Sequence, residues 1–399
     1  MSASQKIAVV TGSRADFGLL RSVIAELKTY DKFEVQVWAT GMHLSEHFGN
    51  TYQDIEKVGF SIDEKVPCLS SEDTDEANTL AVSRAMKGWA EVFKRNRPDL
   101  LMVLGDRFEI LAAVQSALFF QIPVAHLCGG DVTEGAFDEA IRHSITKSAH
   151  IHFVTNEDSK QRVLQMGENP EHVYNFGSPA IDLMKQIDLM SKKELTENLG
   201  VEFSEKNFLI TFHPQTITDG DVKAEVSRQM DALIEALKTF KGQASFFITG
   251  TNADKAYSII DQKMAAFCDS TDRAYGYQSL GAKRYWSLMG LCDVVIGNSS
   301  SGLYEAPSFK VPTVNIGDRQ KGRLAAQSVI QVPSADKALI VEAIEQSLKT
   351  DCQDVKNPYG EGGASRAIGQ TLEKYQSFSS LVQKHFFAYP QGQIEKRDL

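Results

Sequence analysis

Two α/β domains, each a Rossmann-like parallel sheet and the pair facing one another across a cleft, are the fold class this sequence predicts. Three observations lead there. Short apolar runs alternate with amphipathic segments, the signature of stacked βα units. The runs fall into two series with a polar interval between them. Several runs end in glycine, serine or acidic residues, at the strand ends where open α/β sheets take their ligands.

The first series contains the strands Ile7 to Thr11, Phe33 to Ala39, Leu100 to Leu104, Ile122 to Leu127, Ile151 to Thr155 and Val173 to Phe176. Residues 180 to 205 then carry the Lys- and Glu-rich stretch LMSKKELTENLG, which suits a helical connection. The second series is Phe208 to Phe212, Ser245 to Thr249, Ala274 to Tyr277, Val294 to Ile296 and Thr313 to Ile316, with helical segments between. Neither a short internal repeat nor a low-complexity segment interrupts this order. The expected divisions are 1–180, 181–363, and a C-terminal helix and tail over 364–399. The helical pattern from Ala364 to Tyr375 is expected to pack back on the first domain.

Composition narrows the class of partner. The chain has 399 residues, 42% hydrophobic and 24% charged, enough for two sizeable cores. A net charge of −10 argues against a nucleic-acid or acidic-membrane surface while leaving room for a local phosphate pocket. Five cysteines, Cys68, Cys128, Cys268, Cys292 and Cys352, lack metal-ligand spacing and read as reduced thiols. With no signal-peptide pattern and no apolar run of membrane-spanning length, a cytoplasmic protein is expected.

The most informative stretch runs from His126 to His152. Gly129 and Gly130 follow a strand and allow the chain to turn with φ > 0. Asp138, Glu139, Arg142 and His143 then stand at i, i+1, i+4 and i+5 of a predicted helix, so Asp138 shares a face with Arg142 and Glu139 with His143. Ion pairs on a solvated helix are the plain alternative for that spacing. Earlier, Gly12-Ser13-Arg14-Ala15-Asp16-Phe17-Gly18 opens a helix after the first strand and offers backbone N–H groups and Arg14 to a phosphate. Gly105-Asp106-Arg107 places an acid after another strand, where a catalytic role and a helix N-cap are equally open. His213-Pro214 ends the first strand of the second series, the place for an acid–base histidine or a structural one. Residues 296 to 309, IGNSSSGLYEAPSF, put small polar side chains at the start of a helix after a buried strand, an arrangement suited to phosphate, with Glu305 placed for the two hydroxyls of a ribose. Gly317 to Arg323 adds three cations suited to a diphosphate or to a solvated surface.

Taken in order, GSRADFG, GDRFE at 105–109, GGDVTEGAFDEAIRHSITK at 129–147, FHP at 212–214, GNSSSGLYEAP at 297–307 and GDRQKGR at 317–323 resemble the UDP-N-acetylglucosamine 2-epimerase family, more closely its hydrolysing branch, over nearly the whole chain. The resemblance implies the two-domain fold called GT-B and a nucleotide-sugar substrate. It also implies that Asp106, Asp131 and Asp138 supply carboxylates around the sugar, with His213 facing them from the second domain. Arg14, Ser299, Ser300, Glu305 and Arg319 would hold the nucleotide diphosphate and its ribose. The wider binding set takes in Asp16, Arg107, Arg142, His143, Asn252, Asn298, Ser301 and Gly302. Cys128 stands where many relatives carry Glu or His, and Asp131 where hydrolysing relatives usually have Glu.

The reaction expected from this resemblance converts UDP-N-acetylglucosamine and water to N-acetylmannosamine and UDP through a 2-acetamidoglucal, for sialic acid or related nonulosonic acids. The alternatives are the same chemistry on a UDP- or GDP-linked 2,4-diacetamido-trideoxyhexose and a GT-B glycosyltransferase. A nucleotide-sugar sensor without turnover is a third. Such a 2-epimerase uses opposed acids and bases and calls for neither a metal nor another cofactor. A homodimer or higher homo-oligomer is expected.

Overall fold

A computed structural model describes residues 4–70, 74–133, 138–214, 221–251 and 256–388. The chain divides into two compact units. The first comprises Met1–Asp131, Phe137–Leu183 and Gly362–Leu399; the second comprises Val132–Ala136 and Met184–Glu361.

In the first unit the strands are β1 (Gln5–Thr11), β2 (Phe33–Thr40), β3 (Glu64–Val66), β4 (Leu100–Leu104), β5 (Val124–Leu127), β6 (Ile151–Val154) and β7 (Val173–Asn175), in the order β3-β2-β1-β4-β5-β6-β7. Every pairing is parallel, with Ile7 opposite both Val35 and Leu100. Alternation along β1 explains why both faces are dry. Ile7 and Val9 join a cluster with Leu20, Ile24 and Leu27 of the Arg14–Leu27 helix, whereas Ala8 and Val10 join Trp38, Trp89 and Phe93 on the other side. Strands buried on both faces read as continuous apolar runs, as β1 and β4 do. The Ala364–Glu373 helix contributes Ile368 and Leu372 to the first of those clusters, and the Asp182 carboxylate accepts the backbone N–H groups of Gly363 and Ser365 at that helix's start.

The second unit is built alike from β8 (Lys206–Thr211), β9 (Ala244–Thr249), β10 (Ala274–Tyr277), β11 (Val294–Gly297), β12 (Thr313–Ile316) and β13 (Val329–Val332), in the order β10-β9-β8-β11-β12-β13 and again all parallel. Phe208 and Ile210 enter one core cluster and Leu209 the other. Two strands, β3 and β13, lie outside those expected from the sequence. Both are at sheet edges, and β3 is three residues long with two of them charged, too little for an apolar run to register.

The strand orders locate the ligand-binding ends. In each sheet the order reverses once, between β1 and β4 in the first and between β8 and β11 in the second. Ligands of open α/β sheets bind outside the carboxyl ends of strands at such a switch. Gly12-Ser13 follow β1 and Gly105-Asp106 follow β4. His213 follows β8 and Asn298-Ser299 follow β11.

Candidate active site

At the first switch point a buried arginine gathers the acids. Arg142, 2% exposed, comes from the Asp138–Ser148 helix and pairs with the Asp106 carboxylate after β4. It also donates to Glu139 Oε2 (2.9 Å) and to the backbone carbonyl of Asp131 (2.8 Å). Burial opposes the Arg142 charge, but Asp106, Asp131 and Glu139 outweigh it and hold the guanidinium above its usual pKa. Glu139 Oε1 meets His143 Nε2 at 2.9 Å, so the Glu139–His143 pairing expected from the helix spacing is present, with Glu139 reaching Arg142 at i+3 as well. Asp138 opens the same helix and stands close enough to help keep Arg107 charged, alongside Glu109 and Asp16 and against the effect of burial.

Asp131 is 6% exposed. Its Oδ1 accepts from Ser159 Oγ (2.6 Å), Thr155 Oγ1 (3.1 Å) and Asn156 Nδ2 (3.2 Å), which ties it to the start of the Glu157–Gln165 helix. The turn that delivers it differs from the sequence expectation: positive φ falls at Cys128 (61°) and Gly130 (77°) rather than at both glycines. A side chain on Gly130 would also bring a Cβ to 2.4 Å from the Ser159 carbonyl, so glycine is required there by space and by backbone. Cys128 holds a left-handed conformation that a β-carbon disfavours.

Two buried residues that the sequence reading gave no role in the site organise this end of the sheet. Glu109, fully buried, accepts from Arg107 Nε at 2.6 Å and fills the space beside Gly12 and Gly41; its Oε2 has no partner among the described residues. His43, also fully buried, meets Thr11 Oγ1 at 3.0 Å and Thr51 Oγ1 at 2.7 Å, and burial lowers its pKa. Asp16 sits in the same network. Its carboxylate accepts from Gly12 N, Ser13 N and Thr11 Oγ1 at 2.7 to 2.9 Å and completes a capping box with Ser13. Asp16 therefore shapes the Gly12–Gly18 loop from within. Arg14 lies on the outside, paired with Asp54 at 2.8 Å.

The second switch point is made of small polar groups. Asn298, 1% exposed, takes the His213 N–H on Oδ1 (2.7 Å) and donates to the His213 carbonyl (2.8 Å), locking the ends of β8 and β11 together. Gly297 lets those strands approach; a Cβ there would lie 1.9 Å from the Thr211 carbonyl oxygen. His213, 7% exposed, meets Thr251 Oγ1 through Nδ1 at 3.0 Å. Burial, aided by the positive charge of Arg319, lowers its pKa to about 3, so the imidazole is neutral at ordinary pH. Arg319 Nη1 and Gln320 Nε2 both donate to the Asn298 carbonyl, at 3.3 and 2.8 Å.

The serine run departs from expectation in its helix. Only Ser301–Tyr304 is α-helical, followed by a 3-10 turn over Ala306–Phe309 with Pro307 inside it. Proline supplies no N–H and disfavours helix in the residue before it, so one turn forms and contributes little helix dipole. Ser299 Oγ accepts from Ser301 Oγ at 3.2 Å, and Tyr285 OH contacts Ser301 Oγ at 2.6 Å; Gly302 is buried within that turn. Glu305 accepts from Trp286 Nε1 at 2.8 Å, and enclosure by protein pushes its carboxyl up to about 7 despite that bond. Tyr285 and Trp286, from the Gly281–Met289 helix, carry no local signal of this role. Asn252 lies outside the described residues. No His, Cys, Asp and Glu cluster of metal-binding arrangement occurs among the described residues.

Two doubly covered parallel sheets, each with polar side chains at its switch point, are the GT-B type of fold expected above. The solved UDP-N-acetylglucosamine 2-epimerase of Methanocaldococcus jannaschii, in complex with UDP-N-acetylglucosamine and UDP, shares the fold with a TM-score of 0.77 at 17% identity, over 92% of this chain and 99% of that one. The sequence takes the assignment further: the family model described as UDP-N-acetylglucosamine 2-epimerase matches residues 25–373, and the chain belongs to that family. It is 37% identical to the hydrolysing GDP/UDP-N,N'-diacetylbacillosamine 2-epimerase of Campylobacter jejuni, over 96% of this chain and 98% of that one. It is 35% identical to the polysialic acid biosynthesis protein P7 of Escherichia coli, over 97% and 98%. It is 32% identical to the hydrolysing UDP-N,N'-diacetylbacillosamine 2-epimerase of Legionella pneumophila, over 95% and 98%. The assignment to the epimerase family thus rests on the whole length of the chain, and two of these relatives are named as hydrolysing. No helix among the described residues is long and apolar enough to cross a membrane.

Proposed function

We propose that this epimerase acts on a UDP- or GDP-linked 2,4-diacetamido-2,4,6-trideoxyhexose, in a legionaminic-type pathway, and releases the free manno-configured sugar. The observation that carries the proposal is near full-length likeness to two hydrolysing enzymes named for diacetylbacillosamine nucleotides. UDP-N-acetylglucosamine, the substrate expected first from the sequence, becomes the second reading; the polysialic acid relative favours keeping it in the comparison.

The chemistry proposed is elimination followed by hydration. Removal of the C2 hydrogen as a proton accompanies breakage of the C1–O bond to the diphosphate, which leaves with the bonding electrons and generates a C1=C2 glucal. Water adds its oxygen to C1, and a proton enters C2 on the opposite face, so one water is consumed. Different groups must remove and deliver the C2 proton. Asp106, Asp131 and Asp138 are proposed for these tasks and His213 to assist them. Pairing with Arg142 supports Asp106 as a carboxylate of fixed direction, and three donors on Oδ1 do the same for Asp131. A neutral His213 has one ring nitrogen to donate and one to accept. Arg319, Ser299 and Ser300 are proposed to bind the diphosphate and Glu305 the ribose, with Arg14, Arg107 and His143 completing the contacts to substrate. Asp16, Asn298, Ser301 and Gly302 would then act on the nucleotide sugar by shaping the loops around it.

The test is incubation with UDP- and GDP-linked N-acetylglucosamine and with their 2,4-diacetamido-trideoxy counterparts, reading free nucleotide and free sugar together. A diacetamido substrate should be preferred in kcat/KM by roughly tenfold or more, since polar pockets built for an extra amide reject analogues lacking it. Equal or better use of UDP-N-acetylglucosamine would return the function to the first expectation. Nucleotide release that required an added acceptor would make the protein a glycosyltransferase.

A further inference from the structure

The helix that begins with Asp138 and Glu139 ends at Ser148 without a glycine cap; Ala149 and His150 follow directly. The final carbonyls of an α-helix have no partner within it. Here they are met from far along the chain. Lys384 Nζ donates to the carbonyl of Lys147 (2.5 Å), 237 residues away, and to that of Ala149 (2.6 Å). Its third contact is Glu168 Oε2 at 2.7 Å. An ammonium has three protons, and all three are used. A cation also suits the negative end of a helix dipole.

Glu168 makes this contact a fixed point. It is 1% exposed and accepts in addition from Lys147 Nζ (2.8 Å), while His152 Nε2 of β6 lies 3.0 Å away. Removing a cation from a carboxylate as buried as Glu168 leaves its charge poorly compensated. The next residues continue the attachment: Phe387 N donates to the Gly167 carbonyl at 2.9 Å, and Lys147 Nζ lies 4.8 Å from the centre of the Phe386 ring. Residues 384–387 thus form a strap over the end of one helix and the turn at Gly167. Asp138 and Glu139 stand at the opposite end of that helix, and Arg142 and His143 lie near its middle.

We infer that Lys384 is a positioning residue for epimerisation: by capping the Asp138–Ser148 helix it sets where Arg142, and through it Asp106, stands along the helix axis. Sideways, the helix is held by Ile145 in the core and by Thr146 Oγ1 against His126 Nδ1 at 3.2 Å. Sliding along the axis is opposed at the carboxyl end by Lys384. The inference rests on the proposed part of Asp106 and Asp138 in moving the C2 proton.

The experiment compares Lys384→Met, which keeps the stem and removes the charge, with Lys384→Arg. Turnover per folded molecule is measured on the nucleotide sugar the parent uses best, together with amide hydrogen exchange across residues 138–149. Lys384→Met should lower kcat by roughly tenfold or more while KM stays within about twofold, because small misplacement of reacting groups acts on rate. Exchange near the end of the helix should quicken, and Lys384→Arg should recover most of the rate. Parental kcat in folded Lys384→Met would overturn the inference, as would a rate loss with helix exchange unchanged. Should Lys384→Met fail to fold, Lys384→Gln carries the same two readouts with the same outcomes. A parent that releases no nucleotide from any nucleotide sugar would sink the functional reading instead; unchanged exchange in the variant would then still reject the strap.

Discussion

At the switch point of the first sheet the side chains are charged and interlocked, whereas at that of the second they are mainly hydroxyls and amides around one neutral imidazole. Arg142 alone ties together Asp106, Glu139 and the Asp131 carbonyl. Its counterpart in organising power on the other side is Asn298, which is uncharged. The difference suits the proposed division of labour, in which the first sheet transfers protons with help from His213 and the rest of the second switch point recognises the nucleotide. Carboxylates that exchange a proton with carbon need fixed direction and charge. A diphosphate already carries its own charge and is better met by donors with little bulk, plus an arginine.

The sharpest way to break this comparison is Asp106→Asn. It should lower kcat by about a hundredfold or more, the range for a lost acid–base group, while circular dichroism stays native. Near-parental turnover would remove Asp106 from the chemistry, and the same result in Asp131→Asn and Asp138→Asn would remove the first sheet. Next in size, Arg319→Ala should weaken UDP binding measured by calorimetry by about 1.5 to 3 kcal/mol, the worth of a charge-assisted hydrogen bond. Unchanged affinity would detach the second sheet from the nucleotide.

Glu305 offers a test through pH. Its carboxyl titrates near 7 in the fold against an ordinary 4.5, so between those values the folded protein holds a proton that the unfolded chain has lost. Stability contributed by this group is therefore present at low pH and declines as pH rises toward 7. Glu305→Gln removes that dependence. Relative to the parent, the variant should gain on the order of 2 kcal/mol in urea unfolding between pH 5 and pH 8. A constant difference across that range would mean that the carboxylate is better solvated than its surroundings indicate. The smallest effect is expected for Cys128→Ser, with kcat within about threefold of the parent, since another small side chain meets the same left-handed backbone. An inactive variant would show that the thiol takes part in the reaction.

What the sequence disclosed and what it withheld follow from the range of the interactions. The strands of both sheets were most legible where apolar residues run together, as in Leu100–Leu104; Glu64–Val66, charged at two of three positions, was not legible. The clusters at Gly105-Asp106-Arg107 and Asp138 to His143 stood out because strand ends and helix spacing are local facts, and the Glu139–His143 contact followed from the spacing alone. Glu109, quoted only as the end of GDRFE, and His43 were given no role because their importance lies in complete burial between loops distant in sequence. Tyr285 and Trp286 reach Ser301 and Glu305 only through tertiary packing, and Lys384 meets its helix across more than half the chain. The expected helix after the serine run was cut short by Pro307, a residue plainly visible in the sequence whose consequence was underweighted.

The central claim is that the carboxylates of the first sheet move one proton at C2 while the C1–O bond breaks. Running the reaction in D₂O and examining the released sugar by NMR and mass spectrometry tests that claim most directly. One deuterium at C2 of a manno-configured product is the predicted result. A product that keeps its C2 hydrogen and the gluco configuration would contradict it, however fast the nucleotide were released.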